Sequence, residues 1–242
     1  MAINVKDILI KPLPAKIAND FVRAHHYSGK VVNNSQLHLG AFYNGVLHGV
    51  MSFGCPMDRS KVIGLVSGTK WNDFLELNRM AFDDYLPRNS ESRCISVAMK
   101  IIKKHYPNIE WILSFADGTQ CGDGTIYRAS GFVLTQINSN KSIVEFPNGE
   151  RIANLVLTAL WDCKEVKELC ARLGIEHKYR TMSEWEKYGA KAADGFMLRY
   201  IYFINKAARE RLTVPIIPFS EIDIMNAGMY KGEQIKQSER HK

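Results

Sequence analysis

Apolar and polar residues alternate over residues 6–11 in the manner of a short strand, which Pro12 and Pro14 end. Over residues 15–26 the spacing of Ile17, Phe21 and Ala24 changes to the period of a helix. Two strand-like runs, 36–43 and 46–53, flank Asn44-Gly45, the pair that a tight two-residue hairpin turn demands. The pattern then predicts a short strand at 62–66, a longer one at 74–82 and an amphipathic helix from Asn89 through Ile95, Ala98, Met99 and Ile102 to about His105. Asn89 is a residue type suited to capping that helix. Strict alternation in 74–82 places Phe74, Glu76 and Asn78 on one face and Leu75, Leu77 and Arg79 on the other, so charge falls on both faces of a central strand.

The apolar run 111–115 reads as a buried strand, followed by a second hairpin from 132–137 and 142–146. Asn148-Gly149 marks a turn, 152–157 a further strand, 162–173 and 183–193 helices, and 197–204 a strong strand. Pro215 and Pro218 close the fold, and residues 231–242 read as frayed. This order predicts one α/β domain over 1–242 with a mixed central sheet flanked by helices, carrying a helical insertion at about 160–195.

The stretch ADGTQCGDGTIYRASGF (116–132) organises the rest. It leaves a strand through Asp117 and the closely spaced Gly118, Gly122 and Gly124, which allow a ligand to approach the main chain. Tyr127 and Arg128 follow in a short helical turn that Gly131 stops. A carboxylate, a phenol and a guanidinium thus gather near one strand end. Upstream, His25, His26 and Tyr27 concentrate proton-transfer and metal-binding groups at a helix end, where one histidine also suits the negative end of the helix dipole. Arg88, Ser90, Ser92 and the free N–H groups after Asn89 suit a pyrophosphate, which Glu91 opposes.

Composition narrows the classes. An apolar fraction of 46% in 242 residues fills a core, and no apolar run is long enough to span a membrane. Residues 1–11 lack the apolar segment of a signal peptide, so a cytoplasmic location is expected. The five cysteines contain no C-x-x-C pair and suggest neither a disulfide framework nor a thiolate zinc site. A net charge of +7, spread along the chain, permits a nucleic-acid partner.

The segments HHYSG (25–29), ELNRMAF (76–82), PRNSESR (87–93) and FADGTQCGDGTIYRASGF (115–132), in this order and spacing, resemble the Mom family of bacteriophage DNA adenine modification proteins. That family in turn resembles the GNAT acyltransferase fold. The resemblance is dense over 20–137, with a looser echo in RYIYFINKAARERL (199–212). It implies a GNAT-like mixed central sheet and a transferase that gives adenine in DNA an N6-carbamoylmethyl (acetamido) group, protecting the phage genome from restriction in a bacterial host. It places Tyr27, Arg79, Ser92, Asp117 and Tyr127 on the family's functional positions. It further implies acetyl-CoA or a related acyl donor held at Arg88, Asn89, Ser90 and Ser92, although serines and Glu91 stand where a glycine-rich Q/R-x-x-G-x-G/A loop is usual.

The expected partner is double-stranded DNA with a flipped adenine, and a homodimer is one assembly state this reading allows. Asp117 is the candidate to orient or deprotonate the amine, Tyr127 to protonate the leaving group, Arg79 to hold a carbonyl or carboxylate of the donor, and Tyr27 to stack on the flipped base or hydrogen bond to it. Simple acyl transfer leaves an amide, whereas the family's product carries a CH2 on the amine. Iron held by His25 or His26 with Asp117 or Asp123 is one source of the missing chemistry. Two other readings compete: a GNAT acetyltransferase acting on a protein or small molecule, and a non-catalytic phage DNA-binding protein.

Overall fold

The computed structural model describes residues 3–236 and 239–240. In chain order its elements are β1 (Leu9–Pro12), α1 (Ala15–His25), β2 (Ser35–Tyr43), β3 (Val46–Gly54), α2 (Arg59–Val62), β4 (Phe74–Phe82), α3 (Ser90–His105), β5 (Trp111–Gly118) and α4 (Thr125–Ala129). They continue with β6 (Val133–Ser139), β7 (Ile143–Glu145), β8 (Arg151–Ala153), α5 (Asn154–Thr158), α6 (Lys164–Leu173), α7 (Met182–Glu186), β9 (Lys191–Ala192), β10 (Phe196–Phe203) and α8 (Glu221–Ile224). Seven strands form one mixed sheet in the order β1-β2-β3-β4-β5-β10-β6, and a separate sheet has the order β8-β7-β9.

Helices cover both faces of the large sheet. Ile95, Ala98, Met99 and Ile102 of α3 are buried against one face, and Ala18 and Val22 of α1 pack with Val50 and Ala81 on the other. The helical period read from the sequence therefore marks real core stripes. The β2-β3 hairpin turns at Asn44 and Gly45, both at positive φ (48° and 80°), as its two-residue loop requires.

The feature that positions the site is the pair β4 and β5. They are parallel and bond only through Phe74↔Trp111, Leu75↔Ile112 and Glu76↔Leu113, after which the pairing stops. On its other side, β4 pairs Leu77 with Phe53 and Arg79 with Ser52, leaving Asn78 as a bulged residue. The buried Asn78 side chain accepts from Ser35 Oγ (3.1 Å) and donates to Cys55 O (3.3 Å). The bulge reverses the alternation expected for this strand. Leu75 and Leu77 face the core under α3, but beyond Asn78 that face is taken by Met80 and Phe82. Arg79 is thereby turned to the face that carries Glu76.

Other expectations need correction. Residues 59–65 form α2 and a 3-10 turn in place of a strand at 62–66. Strand 111–115 runs on to Gly118, because β10 pairs with it as far as Gly118↔Phe196. The expected second hairpin does not form: β6 stays in the large sheet and β7 joins the small one. Asn140 makes the corner, accepting from the N–H groups of Ser142 and Ile143 and donating to the carbonyls of Ile143 and Ala193. Strand 152–157 is β8 followed by α5, and helix 183–193 is the shorter α7 followed by β9. Val144, Phe146, Ile152, Leu157, Leu169 and Trp185 give this part of the chain its own core. The region read as a frayed end packs back on the protein: Gly232 N–H donates to Cys121 O, and Arg240 pairs with Asp123.

Candidate active site

Because β4 and β5 are parallel, the segments that follow them leave the sheet at one end, and there the two strands have parted. Asp117 lies at the end of β5, held in strand geometry by β10. Gly118 is required beside it, since a Cβ there would lie 2.7 Å from Phe196 O. The Asp117 carboxylate is crowded with donors. One oxygen accepts from the Thr119 N–H (2.9 Å) and the Thr119 hydroxyl, the other from Gln120 Nε2 (3.1 Å) and Tyr27 Oη (3.2 Å).

Tyr27 follows α1 directly. Its ring is half exposed, while its hydroxyl is enclosed next to Asp117 and Arg79. Burial, then the Asp117 charge, push its pKa far above the ordinary phenol value, so it remains a donor. His26 accepts the Ser28 N–H at Nδ1 (3.1 Å), which leaves its proton on Nε2. Burial and then Arg79 lower its pKa to about 4 against an opposing pull from Asp117, and the ring is neutral at pH 7. His25 packs on Phe21 in the last turn of α1, ring centroids 4.3 Å apart.

Arg79 is fixed by bonds to the carbonyls of Lys30 (2.9 Å) and Asn78 (2.8 Å). Burial lowers its pKa, and the neighbouring Tyr27, Glu76 and Tyr127 oppose that shift. Glu76 is pushed up to about 7 by burial, with Arg79 opposing. Among the described residues no donor hydrogen-bonds to the Glu76 carboxylate. Tyr127, on α4, packs against Phe132 and Tyr200, both with ring centroids at 5.3 Å. Burial pushes its hydroxyl up to about 12, a shift that the neighbouring Ser114 opposes; the Ser114 hydroxyl donates to Leu77 O across the parted strands (3.4 Å).

Four residues named from sequence, Tyr27, Arg79, Asp117 and Tyr127, are thus brought into one cluster. The others lie at the start of α3, which packs beside α4. There Asn89 takes a left-handed conformation (φ 71°) and its side chain caps nothing, contrary to the expected capping role. Ser90 is buried and donates to Pro87 O (2.6 Å), so its hydroxyl is spent within the turn. Ser92 donates to Asn89 O (3.1 Å). The helix therefore starts without a side-chain acceptor for its first N–H groups, with Arg88 beside it and Glu91 in the first turn.

The proposed iron ligands do not form a donor set. Nδ1 of His26 is occupied by Ser28, both Asp117 oxygens accept protein donors, and Asp123 is paired with Arg240. Among the described residues no three His, Cys, Asp or Glu side chains gather for a metal.

Three cluster members were not assigned a role from sequence. Glu76 was visible as a charge on a central strand, but only the bulge brings Arg79 to its face. Ser114 lay hidden in an apolar run. Cys121 is exposed as a residue, and partial desolvation of its thiol, then the Asp117 charge, raise its pKa. A cavity of about 640 Å³ adjoins Gly118 and Thr119, lined among others by Asn140, Arg151, Phe196, Met229 and Gln234, and none of the cluster's side chains lines it. No described helix is long and apolar enough to cross a membrane.

Solved structures similar to this chain include a spermidine/spermine N-acetyltransferase from Vibrio cholerae (8% identity, TM-score 0.45, 85% of this chain and 98% of that one). An acetyltransferase from Bacillus subtilis in complex with CoA is another (11% identity, TM-score 0.42, 81% and 98%). In sequence, the chain is 34% identical over 212 residues to the methylcarbamoylase Mom of Escherichia phage Mu, covering 87% of this chain and 81% of that protein. Residues 7–221 match the Mom protein family. A family match over nearly the whole described chain, and a relative this similar across most of its own length, place the chain in the Mom protein family.

Proposed function

We propose that this chain is a transferase that converts adenine in DNA to its N6-carbamoylmethyl form and so shields phage DNA from host restriction. The observation that carries the proposal is the meeting of Tyr27, Glu76, Arg79, Asp117 and Tyr127 where β4 and β5 part. Membership of a family with a relative named methylcarbamoylase supports the reaction. The net charge of +7 supports the polyanionic partner.

The adenine amine is conjugated with its ring and is a poor nucleophile, so it needs an oriented proton acceptor and a base turned out of the stack. Glu76 suits that acceptor better than Asp117. Among the described residues its carboxylate has no donor, and its pKa lies near the working pH, whereas Asp117 already accepts four hydrogen bonds. Asp117 holds the Tyr27 hydroxyl in place, and the half-exposed Tyr27 ring offers a stacking face for the flipped base. Arg79, fixed by two backbone carbonyls, supplies a preorganised cation for a donor carbonyl. Tyr127 keeps its proton up to about pH 12 and can give it to a departing group.

A coenzyme A thioester would supply the two-carbon unit. Joining its methyl carbon to the amine removes one hydrogen from each and needs a two-electron oxidant, and an ammonia-level nitrogen would displace the CoA thiol to leave the carboxamide. Arg88 and the uncapped N–H groups opening α3, that of Ser92 among them, are suited to hold its diphosphate. Ser90 drops out of that set, and no step is assigned to iron.

Plasmid DNA from cells expressing the chain should resist a restriction endonuclease whose site contains adenine, while plasmid from cells carrying an empty vector is cut. Equal cutting of both, with soluble protein present, contradicts the proposal.

A further inference from the structure

The turn that connects Asp117 to Tyr127 is rich in glycine, and beyond its own hydrogen bonds to Asp117 it is bolted down from two sides. From the core, Tyr200 Oη donates to Asp123 O, and the Tyr200 ring packs against that of Tyr127. Gly124 (φ 88°) lies so close to this ring that a Cβ would come within 2.4 Å of it. From outside, the C-terminal segment binds the same turn. Asp123 N–H donates to Met229 O (2.9 Å), Met229 N–H to the Asp123 carboxylate (3.3 Å), and Gly232 N–H to Cys121 O (2.9 Å).

Arg240 closes the arrangement. Its guanidinium donates to both Asp123 oxygens, to Thr125 Oγ1 (2.9 Å) and to Ile235 O (2.7 Å), and it lies 5.4 Å from the centre of the Tyr230 ring. The pair is dry, with side-chain exposures of 6% for Arg240 and 1% for Asp123. Removing one partner from such a pair strands a buried charge, so the contact holds the turn in one place. These residues follow position 221, where the family match ends.

We propose that residues 222–236, together with Arg240, form a positioning clamp for the site turn, with Arg240 and Asp123 as its closing pair. The clamp touches no reacting atom. It sets where Tyr127 and the Asp117 end of β5 stand relative to Arg79 and Glu76, and misplacing such groups by about 1 Å costs about a hundredfold in rate. Its effect on activity rests on the reaction proposed above, whereas its effect on the turn does not.

The test compares the full chain with Arg240→Ala and Arg240→Lys by amide hydrogen exchange and by steady-state kinetics on DNA. In Arg240→Ala, exchange over 118–127 should rise at least tenfold while β2 and β3 stay within twofold. Turnover should fall at least tenfold with KM for DNA within threefold, and Arg240→Lys should lie between the two in both readouts. If Arg240→Ala does not fold, the comparison of Arg240→Lys with the unaltered chain decides: faster exchange confined to 118–127 supports the clamp. Unchanged exchange over 118–127, a uniform rise across the sheet, or faster exchange with unchanged turnover would overturn it. Unmodified DNA from the unaltered chain counts against the proposed reaction alone, since exchange reads the clamp by itself.

Discussion

Glu76 and Asp117 are carboxylates in one cluster, and their surroundings give them different work. Asp117 is surrounded by donors and acts as a hinge pin for Tyr27 and the following turn. Glu76 has no donor among the described residues and is raised to about 7 by burial. Between the ordinary carboxylate range and pH 7 the folded chain therefore binds more protons than the unfolded chain, and raising the pH through that window lowers stability. Removing the titration should reverse this cost. Above pH 7, Glu76→Gln is expected to melt no lower than the unaltered protein, while its DNA modification rate falls by about 10²–10⁴. In the unaltered protein the rate should climb as the pH rises through 7. Melting curves at pH 8, run beside modification assays, check both halves; a variant that stays fully active contradicts the proton-acceptor role. Sequence motifs, through the family resemblance, named Tyr27, Arg79, Asp117 and Tyr127, and the fold brings these four side chains together. Glu76 was not assignable, since strict alternation separates it from Arg79.

At the scale of elements, the separation is undone by one bulged residue. Asn78 is buried, joins Ser35 to Cys55 O, and turns Arg79 towards Glu76. Asn78→Ala removes both bonds and leaves the Cys55 carbonyl and the Ser35 hydroxyl with one partner fewer. We expect a loss of about 1–3 kcal/mol in stability, read by urea denaturation, with a drop in modification larger than the stability change explains. Unaltered modification would show that Arg79 finds its place without the bulge. The elements legible in sequence, α1, the β2-β3 hairpin, β4, α3 and β10, are those whose period or turn residues decide their form locally. The failures share a cause. The β6 to β7 corner depends on Asn140 reaching Ala193, which is 53 residues away. The C-terminal packing depends on the pair between Arg240 and Asp123, which are 117 residues apart.

Over the whole molecule, parallel pairing of β4 and β5 brings two segment starts to one sheet end, and the early end of that pairing opens the space between them. Helices α1 and α3 hold the sheet from opposite faces, so the opening is set by the core and not by a loop. The part of the chain with its own small core reaches this end too: Lys30, whose carbonyl fixes Arg79, pairs with Glu165 of α6 (2.6 Å). Everything converges on one chemical claim, that this opening modifies adenine. Mass spectrometry of nucleosides from a plasmid recovered after expression tests it most directly, with Tyr127→Phe as control. A deoxyadenosine carrying the mass of a carbamoylmethyl group, present with the unaltered chain and absent or strongly reduced with Tyr127→Phe, is the predicted result. Unmodified adenine throughout, from cells that make the folded protein, would contradict the account.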